Sequence, residues 1–224
     1  MKTKITALLS SSALVALCLN AGITSANAGT VLPYGNIGSV YTSTTSNTVG
    51  YLNPTQANQL QAQGFTMGGS YYQLTSLYFG LGSTGSPAPL VQIFGNNAGA
   101  PGSALATFTL SPAGAVSTKG IFSFTGSFTA QKNTSYWAVV SNTNSALQES
   151  FEWYALDNFT NPAGTPASGI TYLGTKESDN GGAWNSTLPM LSIGVAGTAV
   201  PEPSALALLG LGTVGLIARR RRVG

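Results

Sequence analysis

Residue types able to do covalent chemistry are scarce in this chain. Its 224 residues contain no histidine and a single cysteine, Cys18. That excludes Ser-His-Asp and Cys-His catalysis and every ordinary zinc site. No glycine-rich phosphate cradle follows a strand and opens a helix, so nothing supports nucleotide binding. What remains is carboxylates. A glycosidase needs only two of them, roughly 5–9 Å apart, and Glu149 with Glu152 or Asp157 supplies candidates beside aromatic residues. On a strand, however, residues three apart point to opposite faces, and a few acids are expected on any wet face. Glu177-Ser178-Asp179-Asn180-Gly181-Gly182 offers oxygen atoms that calcium would accept, yet it lacks EF-hand spacing and is turn chemistry in its own right. The chain therefore reads as a non-enzyme with no catalytic residue, no metal site and no cofactor.

Binding is the chemistry left, and it falls to the aromatics Trp137, Trp153, Tyr154, Tyr172 and Trp184. Several must fill a core, because a chain without a disulfide depends on its large side chains for stability. Trp137, flanked by Ala138-Val139-Val140, is expected inside. Trp153 shares a strand face with Phe151, and Tyr154 shares one with Glu152, so Tyr154 is expected to be the more exposed of the two. Trp184 sits in a glycine-rich stretch beside Asn185 and is the leading candidate for a ligand contact, with Tyr154 second. Sugar rings stack on exposed aromatic faces, which makes a carbohydrate-binding module the main alternative to a purely structural role. Asn133-Thr134-Ser135, Asn158-Phe159-Thr160 and Asn185-Ser186-Thr187 match the glycosylation acceptor, a match that a chain rich in Asn, Ser and Thr makes by chance.

These residues must be positioned by strands. Leu77, Phe79 and Leu81 share one face, as do Val91 and Ile93. Ala106, Phe108 and Leu110 alternate with Thr107 and Thr109, and Phe122, Phe124 and Phe128 lie opposite Ser123, Thr125, Ser127 and Thr129. Period two with one polar face means antiparallel sheet, packed on one side and wet on the other. Further strands are expected at 136–140, 151–154, 170–173 and 191–195, with turns at 83–87 and 96–102. The segment 29–50 reads as an irregular lead-in with one strand around 39–42. Asn53-Pro54 opens a stretch that fits a capped helix ending at Gly64. It also fits a strand with Leu60, Ala62 and Gly64 inward and Gln59, Gln61 and Gln63 outward, and the surrounding pattern favours the strand. About nine or ten short strands predict an all-β fold, an antiparallel β-sandwich, with a jelly roll as a close variant.

The two ends differ from this domain. Lys2 and Lys4, the apolar run Ile5–Leu19 and the small residues Ala26-Asn27-Ala28 make a secretory signal peptide over 1–28, cut before Gly29. Leu17 is too large for a lipoprotein signal at Cys18. At the other end, Val200-Pro201-Glu202-Pro203 precedes an uncharged run from Ser204 to Ala218 and then Arg219, Arg220, Arg221 and Arg222. As a helix that run spans roughly 22 Å at about 1.5 Å per residue, short for a bilayer core of about 30 Å but within reach of local thinning. The arginines would stay on the cytoplasmic side, leaving Pro201, Glu202 and Pro203 outside in an extended segment that two prolines keep from turning helical. A plain C-terminal anchor with a basic stop has the same physics. The formal charge of +3 belongs to these ends: residues 29–199 carry only Lys119, Lys132 and Lys176 against Glu149, Glu152, Asp157, Glu177 and Asp179. A mildly acidic domain has no electrostatic claim on nucleic acid.

The order Pro-Glu-Pro, apolar span, arginine cluster over 200–224 resembles the PEP-CTERM sorting signal of exported proteins in Gram-negative bacteria that make exopolysaccharide. The resemblance implies an exosortase-type enzyme as partner, cutting near Pro201-Glu202-Pro203. It also implies transient anchoring in the inner membrane and a final place at the cell surface or in the extracellular matrix. A second resemblance covers roughly 59–141: Gly64-Phe65-Thr66, Tyr72-Gln73-Leu74-Thr75-Ser76-Leu77, Val91-Gln92-Ile93-Phe94, the run Asn97 to Leu105 with its Gly-x-Pro-Gly, and Thr134 to Val139. These are similar to the choice-of-anchor domains, small extracellular β-sandwiches joined to various surface-anchoring tags. That likeness implies an exported surface module and brings no site residues with it.

Overall fold

The computed structural model describes residues 45–51, 58–83, 89–114, 116, 118–143, 149–155, 170–187 and 191–200. Two units divide the chain, 1–29 with 199–224 and 30–198, and all but the last two described residues belong to the second. Eleven strands run in order: β1 (Ser46–Tyr51), β2 (Asn58–Thr66), β3 (Tyr71–Gly82), β4 (Pro89–Asn97), β5 (Ala100–Ser111), β6 (Gly120–Ala130), β7 (Ser135–Asn142), β8 (Ser150–Tyr154), β9 (Thr171–Asp179), β10 (Asn185–Thr187) and β11 (Ile193–Val200). No helix occurs among the described residues.

All-β is as the alternation requires, but the expected sandwich, or its jelly-roll variant, is not what the strands build. Their order is β1-β8-β3-β6-β5-β4-β7-β2, and β2 returns to β1 through Gly50↔Gln59 and Tyr51↔Asn58. This is a barrel of eight strands. Two short pairings bridge what would otherwise be sheet edges: the one just given, and β5 with β6 through Thr109–Ser111 and Thr125–Ser123. Closing the sheet removes edges that would otherwise template aggregation. β9 and β10 continue the sheet beyond β2, and β11 lies on β3. Register shifts in β3–β6, β4–β5 and β2–β9 mark bulges, which add the bend and twist that closure needs.

The interior is aromatic at its centre. Phe79 meets Phe124 edge-on at 5.5 Å and Trp153 edge-on at 5.0 Å, the geometry that sets a positive ring edge against a negative face. Trp153 is fully buried, and its indole N–H donates to the Ser192 carbonyl at 2.7 Å. The Ser192 hydroxyl in turn accepts from the Gly80 amide, so the lead into β11 is tied to both β8 and β3. Closer to its end β11 presses on β3: a Cβ at Gly197 would lie 2.4 Å from the Gln73 carbonyl oxygen, which only glycine avoids. The faces expected for Leu77, Phe79, Leu81, Val91, Ile93, Phe108 and Phe124 are all inside.

β2 is a strand, as favoured, but its faces are reversed. Gln61, Gln63 and Phe65 point into the barrel, while Leu60 and Ala62 point outward into a second apolar cluster with Trp137, Val139, Phe94 and Trp184. Gln61 goes inside with both ends of its amide bonded, whereas Gln63 is held through its oxygen alone and its Nε2 is buried without a hydrogen-bond partner among the described residues. Asn47 Nδ2 donates to Gln61 Oε1, Gln61 Nε2 donates to the Thr48 carbonyl, and the Leu191 amide donates to Gln63 Oε1. The Gln61 bonds to Asn47 and Thr48 tie β2 to β1 beside their short pairing, and the Gln63 bond ties β2 to the lead into β11. With both faces covered, alternation no longer says which side is the core. Trp137 is buried as expected, but in the outer cluster.

Three strands depart from the expected pattern. β1 lies in the lead-in, and its Asn47 and Val49 face inward across from Trp153 and Phe151. β10 occupies what looked like loop. The Gly-x-Pro-Gly loop shrinks to the two-residue turn Ala98-Gly99, with Pro101 already in β5. The strand expected around 39–42 and the turn at 84–87 lie outside the described residues.

Candidate functional site

Tyr154 closes β8 with its ring partly exposed, on the face of Glu152 and opposite buried Phe151 and Trp153, as the alternation predicts. Lys119 Nζ lies 4.2 Å from the ring centroid, a cation–π contact that occupies one face of the ring. Glu152 Oε1 accepts a hydrogen bond from Thr48 Oγ1 at 3.1 Å. Trp184, just before β10, is half-buried and packs on Ala62, Trp137 and Val139, so part of its surface serves the outer cluster. β8 pairs with β1 and β3, whereas β10 pairs with β9. The two candidate rings are therefore not brought together by strand pairing.

Burial raises the pKa of the Tyr154 phenol, and the Glu152 carboxylate adds to the rise. Burial also raises Tyr172, against a smaller lowering by its hydrogen bond with Thr175. A phenol whose pKa is higher folded than unfolded leaves stability unchanged below the unfolded value, about 10. Above that pH the unfolded chain ionises first, so stability falls. Thermal unfolding followed by circular dichroism should show a midpoint dropping as pH rises through that value, with a shallower drop in Tyr172→Phe and in Glu152→Gln. A midpoint indifferent to these substitutions would assign the loss to other groups.

The acidic turn is held by its own hydrogen bonds. Asn180 and Gly181 both have positive φ, and the Gly182 amide donates to the Asp179 carbonyl, the two-residue hairpin geometry for which Asn-Gly is suited. Asn180 Oδ1, a natural calcium ligand, already accepts from the Asn58 amide at 2.9 Å, and the Asn180 amide donates back to the Asn58 carbonyl. No cluster of three or more Asp, Glu, His or Cys side chains forms among the described residues. Glu149 contributes its carbonyl to Tyr51 and Asn142, and Asp157 lies outside the described residues.

One feature escaped the sequence pattern. An open groove of about 480 Å³ lies between strand residues of β4 and β5 and the β6–β7 connection, and its walls include Asn96, Leu105, Gln131, Asn133, Thr134 and Ser135. Gly95 and Tyr136, paired in the β4–β7 register, also line it, while the Tyr136 ring packs on Phe65 and Phe128 in the core. The available signal was compositional: amide and hydroxyl residues clustered at 131–135, beside the strand β4 that carries Asn96.

The residues expected at a signal-peptide cleavage site, Ala26 and Ala28, the segment Pro201, Glu202 and Pro203, the apolar run and Arg219–Arg222 lie outside the described residues. No helix among the described residues is long and apolar enough to cross a membrane. The family model of the PEP-CTERM protein-sorting motif matches residues 199–222, beginning at the penultimate residue of β11. No curated protein matches the chain. The motif implies export through an exosortase-type system and sorting by way of the membrane to the cell surface.

Proposed function

We propose that the chain is an exported, non-enzymatic protein working at the surface or in the extracellular matrix of a bacterium that makes exopolysaccharide. A signal peptide starts its export and an exosortase-type enzyme removes its C-terminal tag. The observation that carries the reading is the sorting motif at 199–222, with Pro201 following directly on the last residue of β11. The domain's chemistry supports a non-catalytic role: it lacks histidine, its cysteine-free span has few charges, and Glu152 is engaged by Thr48. The alternative of a carbohydrate-binding module centred on Trp184 and Tyr154 has weaker support, because Trp184 is partly used in packing and Lys119 covers a face of Tyr154.

Mass spectrometry of the exported form tests the processing step. The expected mature chain begins at Gly29 and has lost the arginine cluster. An exported form still ending in Arg222-Val223-Gly224 would overturn it.

A further inference from the structure

We propose that the groove between strands β4 and β5 and the β6–β7 connection binds a neutral oligosaccharide. The proposal stands on the lining of the groove and is independent of how the chain is sorted. The groove exists because β5 bulges twice against β4: Ile93 pairs with Ala106 but Phe94 with Ala104, and Asn96 pairs with Pro101. The first slip throws Leu105 outward, leaving it 51 % exposed. Among the described residues the β5–β6 ladder covers only Thr109–Ser111, so the earlier part of β5 pairs with β4 alone. Bulges beside a concave surface commonly serve to re-aim a side chain, and here the re-aimed side chain is an apolar wall.

Facing Leu105 are uncharged amides and hydroxyls. The Trp137 indole N–H can only donate, so the Asn96 atom it meets at 2.8 Å is Oδ1, which leaves Asn96 Nδ2 as a donor for a ligand. Gln131 and Asn133 are exposed, and Thr134 and Ser135 are half-buried beside them. The one cation of the turn, Lys132, reaches the Tyr71 ring, 5.7 Å from its centroid. Among the described residues no charged side chain lines the groove. The Thr134 and Ser135 hydroxyls are already bonded, to the Lys132 carbonyl and to Thr66 Oγ1, so the amides of Asn96, Gln131 and Asn133 and one aliphatic wall are what suit ring hydroxyls and the C–H face of a pyranose. The volume lies within the range of roughly 300–1,000 Å³ found for small-molecule sites. A peptide adding itself as a strand would need a straight edge on β5, and the two bulges bend it.

The test uses the full chain in lauryldimethylamine oxide, a detergent without a sugar headgroup, immobilised on a resonance sensor. The probes are maltotetraose, cellotetraose and chitotetraose, with tetragalacturonate as the charged control. At least one neutral probe should bind at millimolar concentration or below, and tetragalacturonate should not. Gln131→Ala combined with Asn133→Gly should weaken that binding by about tenfold or more, equivalent to about 1.4 kcal/mol, while Tyr154→Ala leaves it unchanged. Both altered residues are exposed, and glycine keeps the positive φ of Asn133, so an unchanged thermal midpoint verifies the fold. No binding by any neutral probe, equal affinity in the double variant, or preference for the charged probe would overturn the assignment.

Discussion

Trp153→Ala should be the most damaging single change in the barrel, costing about 3–5 kcal/mol, the range for deleting a large buried aromatic. The indole fills the space beside Phe79 and is fully buried, so its removal leaves a cavity that strands cannot collapse to fill. It also deprives the Ser192 carbonyl of its donor, and an orphaned buried acceptor costs a further ~1–3 kcal/mol. Ser192 holds the Gly80 amide as well, so the loss spreads to β3 and the start of β11. Against a total stability of about 5–15 kcal/mol, urea unfolding should show a midpoint at a small fraction of the wild-type concentration. Tyr154→Ala, one residue away on the outward face, should shift it little. Equal shifts for the two would mean that β8 does not face the way described.

That contrast could be drawn from the sequence, because 151–154 alternates cleanly and only one side of β8 is covered. Most interior faces were legible for the same reason. Barrel closure was not: a wet face and a packed face are common to barrels and sandwiches. The choice rests on strand stagger and on two short pairings between segments far apart in the chain, β1 with β2 and β5 with β6. β2 failed in a more informative way. Its glutamines face inward because Asn47 and the Leu191 amide bond them, and neither partner is adjacent in sequence. Once Trp137 and Trp184 cover the other face, hydrophobicity marks the outer cluster. Trp184 looked like a surface contact because it follows Gly181-Gly182 and precedes Asn185, a local cue that carries no information about a cluster built from β2, β4 and β7. The groove was hidden by its own bulges, since a bulge breaks the period from which strands are read.

Replacing Pro201, Glu202 and Pro203 with alanine should leave the domain folded and stop its processing. β11 ends at Val200 and is fixed on β3 by the close approach at Gly197, so the substitutions begin where the described strand stops. Two prolines set φ and remove two backbone donors. Three alanines do neither, and alanine is a strong helix former, so the segment would lose its bias toward an extended backbone. An enzyme that reads an extended Pro-Glu-Pro would lose both shape and carboxylate. Losing about 3 kcal/mol of transition-state binding slows cutting by roughly 100-fold. The expected result is accumulation of the full-length chain in the membrane fraction, with Gly224 present by mass spectrometry and unchanged circular dichroism. A plain C-terminal anchor predicts something different: wild type and variant would both remain in the membrane uncut, since an apolar run and four arginines suffice to hold either. The wild-type chain therefore decides between an address that is read and an anchor that merely holds, and the alanine variant assigns the reading to Pro201, Glu202 and Pro203.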